Sequence, residues 1–200
     1  MNQTEIRLFR EPFHYLVVKN LYSKEESNDI LNSFLKLYES GELNDPIKTG
    51  TAKDGETILK NNEALFITSF DDEKAREFIS RPLDIIYTDD VADDSWFFDT
   101  IDADDYKGLI SYYDHQQNYK PHRDSSKITA LTWFYKEPKR FKGGELVFND
   151  YDITIPCEQN LTVMFPGNIK HSVTDVLIEE EYRNKGFGRF TLTSFFTNAN

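Results

Sequence analysis

After Tyr106 the chain is organised as short β-rich runs separated by turn residues, and this pattern constrains the fold more than any other feature. Gly143-Gly144 and Pro166-Gly167-Asn168 have the composition of tight turns between such runs. Several short strands at this spacing favour an antiparallel sandwich or barrel. The predicted strands span residues 109–113, 127–135, 145–148, 152–155, 161–165, 172–178 and 189–196.

The earlier half of the chain has mainly helical patterns. Residues 13–18 indicate a strand, and Ser23 and Glu26 after it form a capping box that predicts the start of a helix. Gly41 is the predicted end of that helix. Its apolar stripe consists of Ile30, Leu31, Phe34, Leu35 and Tyr38.

Residues 41–62 show no periodicity and predict a loop before a short strand at 64–67. Residues 72–87 have helical spacing, but Pro82 predicts a break or kink at about Arg81. We find no repeat or linker, and therefore predict one α+β domain over residues 1–200. Residues 1–103 would supply helical support and the first strands, and residues 104–200 the core with the functional site.

Composition narrows the classes of partner. The net charge of −12 argues against nucleic-acid binding, which needs clustered Lys and Arg. Cys157 is the only cysteine, so no intrachain disulfide can form. The chain shows no signal peptide and no apolar run near 18 residues, so we expect no membrane association and a cytoplasmic location. Oligomeric state is not predicted.

Residues 89–105 contain eight aspartates around Trp96-Phe97-Phe98. The favoured interpretation is a solvated loop with an aromatic anchor. Calcium binding and a substrate lid are the alternatives, although no regular calcium-loop spacing is present.

A metal site is indicated by three residues. His122 and Asp124 are two apart, so on a strand or at its edge their side chains project to the same side. This pair alone is common in a chain so rich in aspartate. His171 follows the Pro166-Gly167 turn at the start of a late strand. Two histidines and one carboxylate make the facial triad that binds Fe(II) and leaves three coordination positions open.

Arg189 and Thr191 also share one face of a predicted strand. A guanidinium and a hydroxyl there would suit an acid co-substrate, because arginine offers a fork of N–H donors. The neighbouring residues are apolar: Phe187, Phe190, Leu192, Phe195 and Phe196. A buried arginine in this setting requires an anion.

Four blocks in this order resemble the Fe(II)/2-oxoglutarate-dependent dioxygenases of the prolyl 4-hydroxylase type, over about residues 106–197. They are Tyr113 with Tyr119 to Asp124, then Gly143 to Leu146, then Phe165 to Val173, and finally Gly188 to Leu192. The resemblance implies a double-stranded β-helix, or jelly roll, with supporting N-terminal helices. It implies iron on His122, Asp124 and His171, O₂ as oxidant, and 2-oxoglutarate bound by Arg189 with Thr191 and Tyr113 assisting.

Several assignments stay open at this stage. Tyr112 competes with Tyr113, and Arg183 competes with Arg189, which lies 18 positions after His171 in a spacing longer than is usual in the family. Thr132 stands where some relatives have another co-substrate-binding tyrosine. Possible substrate contacts are His115, Arg123 and Trp133, while His14 is predicted to be structural.

The resemblance favours hydroxylation of a prolyl residue in a peptide or protein. A free amino acid or other small metabolite is the alternative substrate, and a small acid would need a second cation such as Arg123, Lys127 or Lys120. A cupin-like metal-binding jelly roll without oxygenase activity is the non-enzymatic alternative, but it has no requirement for the Arg189-Thr191 pair.

Overall fold

The computed structural model describes residues 3–49, 53–67 and 73–198. Within these ranges there are four α-helices: α1 (Lys24–Glu39), α2 (Glu73–Ile86), α3 (Asp89–Ala92) and α4 (Trp96–Asp99). Two short 3₁₀ helices cover Pro46–Lys48 and Glu180–Tyr182. In the described part of the chain, no helix has the length and apolar character needed to cross a membrane.

The described residues form fifteen β-strands. In chain order they are β1 (Glu5–Phe9), β2 (Tyr15–Lys19), β3 (Lys53–Asp54), β4 (Thr57–Ile58), β5 (Glu63–Ile67), β6 (Asp105–Tyr113), β7 (Tyr119–His122), β8 (Ile128–Phe134), β9 (Phe141–Gly143), β10 (Leu146–Phe148), β11 (Ile153–Ile155), β12 (Leu161–Pro166), β13 (His171–Val173), β14 (Val176–Ile178) and β15 (Arg189–Thr197).

Two antiparallel sheets dominate the molecule. The larger has the strand order β1-β2-β12-β8-β15-β6-β5, and the smaller has the order β11-β10-β13-β7. Two-stranded ladders β14-β9 and β3-β4 complete the pairing. Helices and antiparallel sheets together confirm the predicted α+β class, and the sheets are consistent with the predicted jelly roll.

Strand β15 shows how the layers are built, because its side chains alternate between two environments. Phe190, Leu192 and Phe196 pack in one core cluster with residues of all four helices. Arg189 and Thr191 point to the other face, toward the space between the two sheets. The second core cluster fills this inter-sheet layer with residues such as Leu131, Phe148 and Val173.

The predicted capping box is present at the start of α1. The Glu26 N–H donates to the Ser23 hydroxyl at 3.2 Å, and the Ser23 N–H donates to Glu26 Oε2 at 2.7 Å. Helix α1 ends at Glu39, two residues before Gly41, which has a φ of +71°. Residues without a Cβ adopt that left-handed backbone at low cost, so this helix end was correctly predicted.

Of the predicted break or kink at about Arg81, the break is wrong, because α2 continues through Pro82. Asp72, where the predicted helix began, lies outside the described residues. Pro82 has no N–H to donate to the Phe78 carbonyl four residues earlier. The buried Tyr22 hydroxyl donates to that carbonyl instead, at 2.7 Å. A tertiary hydrogen bond therefore replaces the helical one that proline removes.

Other predictions need smaller corrections. The expected strand 172–178 is two strands, β13 and β14, and residues 89–105 contain two one-turn helices rather than a continuous loop. Phe98 of α4 is the buried anchor, whereas Trp96 is 69% exposed. Strands β1, β3, β4, β7 and β9 were not predicted. They are short, and several are largely exposed, so they lack a long apolar alternation.

Replacing Tyr22 by phenylalanine should lower the free energy of unfolding by about 1–2 kcal/mol, since the Phe78 carbonyl then loses its donor. Urea unfolding followed by circular dichroism measures this change. The matched control is Tyr87→Phe, which alters an exposed tyrosine at the end of the same helical region and should change stability by less than about 0.5 kcal/mol. Equal losses in the two variants would contradict this role for Tyr22.

Candidate metal centre

Two strands of the smaller sheet bring the predicted histidines together. His122 is the last residue of β7 and His171 is the first residue of β13, and the two are direct partners in the antiparallel register. Their ring centroids lie 4.3 Å apart. Asp124 follows two residues after His122, and its backbone N–H donates to the Gly167 carbonyl at 2.8 Å. The turn before His171 therefore also positions the carboxylate.

The three side chains converge on one point. His122 Nε2 lies 3.7 Å from Asp124 Oδ1, and His171 Nε2 lies 3.5 Å from Asp124 Oδ2. The ligand atoms of all three residues lie within 4.8 Å of one another. Among the described residues this is the only cluster of three such groups close enough to bind an ion. The aspartates of residues 89–105 do not form a calcium site of this kind.

Backbone carbonyls orient both imidazoles. His122 Nδ1 lies 2.9 Å from the Lys120 carbonyl, and His171 Nδ1 lies 2.8 Å from the Ile169 carbonyl. A carbonyl can only accept, so each Nδ1 carries the proton and each Nε2 presents its lone pair toward Asp124. Burial and the neighbouring His171 lower the pKa of His122 to about 3, which keeps that ring neutral.

Hydroxyl groups hold the Asp124 carboxylate. The Thr129 hydroxyl donates to Asp124 Oδ2 at 2.6 Å, and Ser126 Oγ lies 2.8 Å from the same threonine oxygen. Gly167 packs so closely here that a Cβ atom would lie 2.3 Å from the Ser126 carbonyl oxygen. The glycine of the predicted Pro-Gly turn is therefore required by contact with the loop that carries Asp124.

The triad lines a cavity of about 260 Å³ between the two sheets. Inward-facing residues of the larger sheet form much of the opposite wall, among them Tyr113, Leu131 and Thr193. Arg189 and Thr191 line the same cavity. The sequence separates these residues from the triad, but the sheet packing brings the two groups into one chamber.

Arg189 is buried, and no described carboxylate forms an ion pair with it. It is 1% exposed, and its Cζ lies 4.7 Å from the Tyr113 ring centroid and 5.7 Å from that of Trp133. The Arg189 Nε and the Thr191 hydroxyl are both buried without a hydrogen-bond partner in the described part of the protein. Because a guanidinium stays charged, this pair requires an anionic ligand.

Of the two tyrosines considered for 2-oxoglutarate binding, Tyr112 and Tyr113, one faces the cavity. Tyr113 lines the cavity. Tyr112 points to the helical layer, where its hydroxyl donates to Asp114 at 2.7 Å and accepts from the Gly188 N–H at 3.2 Å. Thr132 also lies away from the cavity and bonds the Thr162 hydroxyl at 2.7 Å. Tyr113 is thus the tyrosine placed to contact a ligand beside Arg189.

The other candidate residues lie outside the cavity lining. Arg183 donates to the Ile178 carbonyl at 3.0 Å, so it does not reach the triad chamber. His115 Nδ1 accepts from the Ile178 N–H at 3.1 Å. Arg123 is 55% exposed and pairs with Asp150 at 3.1 Å. Trp133 is fully buried beneath Arg189. The roles of His115, Arg123 and Trp133 as substrate contacts stay predictions.

His14 also lies away from the triad. Its Nδ1 lies 2.6 Å from the Ser95 hydroxyl, and its ring meets Trp96 edge-on. Ser95 is the N-cap of α4. These contacts fit the structural role predicted for His14.

Two cavity residues had no sequence signal. Lys60 and Asn62 lie in the segment predicted as a loop, and both are buried against the cavity. Burial lowers the pKa of Lys60 to about 8, and the attraction of Asp124 opposes this shift. Only the long-range pairing of residues 59–61 with β7 places them there, and a single sequence does not show such pairing.

Comparison with known proteins supports the oxygenase class that the sequence resemblance implied. Residues 108–197 match the 2OG-Fe(II) oxygenase superfamily. No curated protein shows a significant sequence match. A prolyl-4-hydroxylase from Pseudomonas putida has a similar structure, with a TM-score of 0.66, 15% identity and 93% of each chain covered.

Two further structures have the same fold. The viral collagen prolyl hydroxylase from Paramecium Bursaria Chlorella virus-1 has a TM-score of 0.56 and 13% identity, over 91% of this chain and 94% of that one. The non-heme alpha ketoglutarate dependent epimerase SnoN from nogalamycin biosynthesis has a TM-score of 0.59 and 11% identity, over 92% and 78%.

Two imidazole nitrogens and a carboxylate on a jelly roll define a non-haem iron oxygenase site. The sequence match and the triad assign residues 108–197 to the 2OG-Fe(II) oxygenase superfamily, and the fold agrees with this assignment. Its cofactors are therefore iron and 2-oxoglutarate, and His122, Asp124 and His171 form the facial triad. The donor set fits Fe(II), since both Nε2 lone pairs and the carboxylate face one point.

Replacing Thr129 by valine should weaken Fe(II) binding about 10- to 100-fold, because the Asp124 carboxylate loses its orienting donor. Anaerobic calorimetric titration with Fe(II) measures this affinity. Thr132→Val is the matched control, since it removes a buried hydroxyl from the same strand on the face away from the metal. An unchanged affinity in Thr129→Val would show that Thr129 does not support the site.

Proposed function

We propose that this oxygenase hydroxylates an aliphatic C–H bond and that its substrate is a prolyl residue in a peptide or protein. The observation that carries the reaction type is one cavity lined by both the iron triad and the orphan pair Arg189-Thr191. A metal-binding jelly roll without oxygenase activity gives no reason for that pair. The prolyl substrate is supported by the fold shared with two proteins described as prolyl hydroxylases.

The residues that line the cavity have different roles in the proposed reaction. Bound iron and 2-oxoglutarate supply oxidation of a C–H bond by O₂, with succinate and CO₂ as co-products. Arg189 and Thr191 bind the distal carboxylate of 2-oxoglutarate, and the Tyr113 ring packs on the guanidinium. The carbonyls of Lys120 and Ile169 keep the imidazoles in the tautomer that the metal needs. Apolar residues such as Leu131 and Leu146 exclude water.

A free amino acid or other small metabolite is the second candidate substrate. The specific observation in its favour is Lys60, a second cation inside the cavity. Because Arg189 already provides the cation for 2-oxoglutarate, Lys60 is available for a substrate anion. The sequence suggested Arg123, Lys127 or Lys120 as the cation for a small acid substrate, but all three are exposed. Lys60 is the residue with the burial and position that a substrate anion would need.

Removing the guanidinium should weaken co-substrate binding without unfolding the protein. Anaerobic Fe(II) with 2-oxoglutarate should give a visible charge-transfer band, and Arg189→Ala should raise the 2-oxoglutarate concentration required for it about 10-fold or more. Arg183→Ala is the matched control, because it removes the rival arginine from the surface hairpin. A complete absence of the band in folded wild-type protein would overturn the proposed chemistry.

The proposed substrate is tested by a matched pair of peptides. Gly-Gly-Pro should stimulate succinate release above the rate without substrate and gain the mass of one oxygen atom, whereas Gly-Gly-Ala should not. Mass spectrometry of the products with quantification of succinate makes the comparison. Equal stimulation by both peptides, or by neither while another amino acid is hydroxylated, would contradict the prolyl assignment and leave the reaction type intact.

A further inference from the structure

A second polar cluster lines the cavity away from Arg189. It consists of Lys60 and Asn62, which belong to a segment that runs antiparallel to β7. The Lys120 N–H donates to the Leu59 carbonyl at 2.6 Å, and Lys60 pairs with Tyr119 as an isolated bridge. The segment is therefore fastened to the strand that ends at His122. Its side chains reach the chamber from the metal side.

Lys60 is a buried cation whose hydrogen-bond acceptors are neutral groups. Lys60 is 2% exposed, and its ammonium forms no ion pair within the described residues. Its ammonium donates to the Thr49 carbonyl and to the Thr49 hydroxyl, the latter at 3.0 Å. Both acceptors are neutral, and an ammonium has three donors. One N–H donor of the ammonium remains for a ligand.

Asn62 supplies the complementary group. It is fully buried, and its Nδ2 donates to the Glu63 carbonyl at 3.1 Å. Its Oδ1 is buried with no hydrogen-bond partner in the described structure. A buried carbonyl oxygen without a donor is costly, so this atom also calls for a ligand. A cationic donor and an orphan acceptor therefore stand two residues apart on one wall.

The position of Lys60 relative to the metal fits a substrate group. The Lys60 ammonium lies 5.4 Å from the centroid of the Tyr119 ring, and that ring stacks on His122 with centroids 3.6 Å apart. Arg189 and Thr191, by contrast, lie on β15 of the opposite sheet. In the proposed site, iron on the triad and the β15 pair would bind the two carboxylates of 2-oxoglutarate. The Lys60 ammonium is therefore available to bind the substrate.

We propose that Lys60 and Asn62 bind the terminal α-carboxylate of the substrate and its adjacent N–H. Lys60 donates to the carboxylate, and Asn62 Oδ1 accepts from the neighbouring amine or amide N–H. The substrate class is then a residue with a free α-carboxylate, either a free amino acid or the last residue of a peptide. This inference rests on the proposed oxygenase function and favours its second candidate substrate, a free amino acid, because a prolyl residue within a peptide has no N–H to donate to Asn62.

The experiment measures binding rather than turnover. The anaerobic Fe(II)–2-oxoglutarate complex is titrated calorimetrically with the twenty L-amino acids, with the dipeptides Gly-Xaa, and with the C-terminal amide of each compound. Free amino acids and dipeptides distinguish the two sources of the carboxylate. Every titration is repeated with Lys60→Met and with the control Lys53→Met, which removes an exposed lysine of β3, seven residues before Lys60.

The proposal expects at least one carboxylate probe to bind and its amide to bind about 10- to 100-fold more weakly. Lys60→Met should weaken carboxylate binding by a similar factor and leave amide binding unchanged, while Lys53→Met changes neither. Thermal unfolding and the 2-oxoglutarate band establish that Lys60→Met is folded and loaded.

Three results would overturn the assignment. They are equal affinity for acid and amide, no binding by any member of the panel to a complex that shows the band, or a Lys60→Met band that requires more 2-oxoglutarate. The last would place Lys60 in the co-substrate site. Carboxylate binding that depends on Lys60 but leads to no succinate release would support the subsite while refuting the proposed hydroxylation.

Discussion

The cross-strand pairing of His122 with His171 is the contact on which the site depends. Antiparallel strands place direct partners about 4.5–5.5 Å apart, which suits two ligands of one metal ion. A slip of one residue in the β7–β13 register would turn one imidazole to the other face of the sheet. The Pro166-Gly167 turn restrains this register, since it contacts the Asp124 loop and leads directly into β13. The strand register that pairs β7 with β13 therefore also sets the geometry of the metal site.

Strand β15 connects that constraint to the rest of the molecule. Its apolar face holds the helices against the larger sheet, and its polar face offers a charged anchor to a ligand. An arginine buried among aromatic rings costs stability in the absence of an anion. On the opposite face, Phe190 and Leu192 are buried in the core cluster that holds the helices. The same strand therefore stabilises the fold and keeps its inner face ready for an acid.

The features that could be predicted from sequence were those encoded locally. The capping box at Ser23, the alternation along β15 and the glycine after α1 each depend on neighbouring residues. The triad could be predicted because its ligand types are chemically specific and its spacing resembles that of a known family. The continuation of α2 through Pro82 could not, because it depends on Tyr22, a residue far away in the chain. Lys60 and Asn62 were missed for the same reason, since long-range pairing alone brings them to the metal.

The pairing of residues 59–61 with β7 has a consequence for how this enzyme could diversify. Without that segment, β7 would be an unprotected sheet edge, open to strand addition by another chain. The segment covers the edge through backbone hydrogen bonds, which do not depend on side-chain identity. Its side chains are consequently free to vary in evolution while the protective ladder persists. Substrate choice could then change by substitutions at positions 60 and 62, with the iron ligands and their register left untouched.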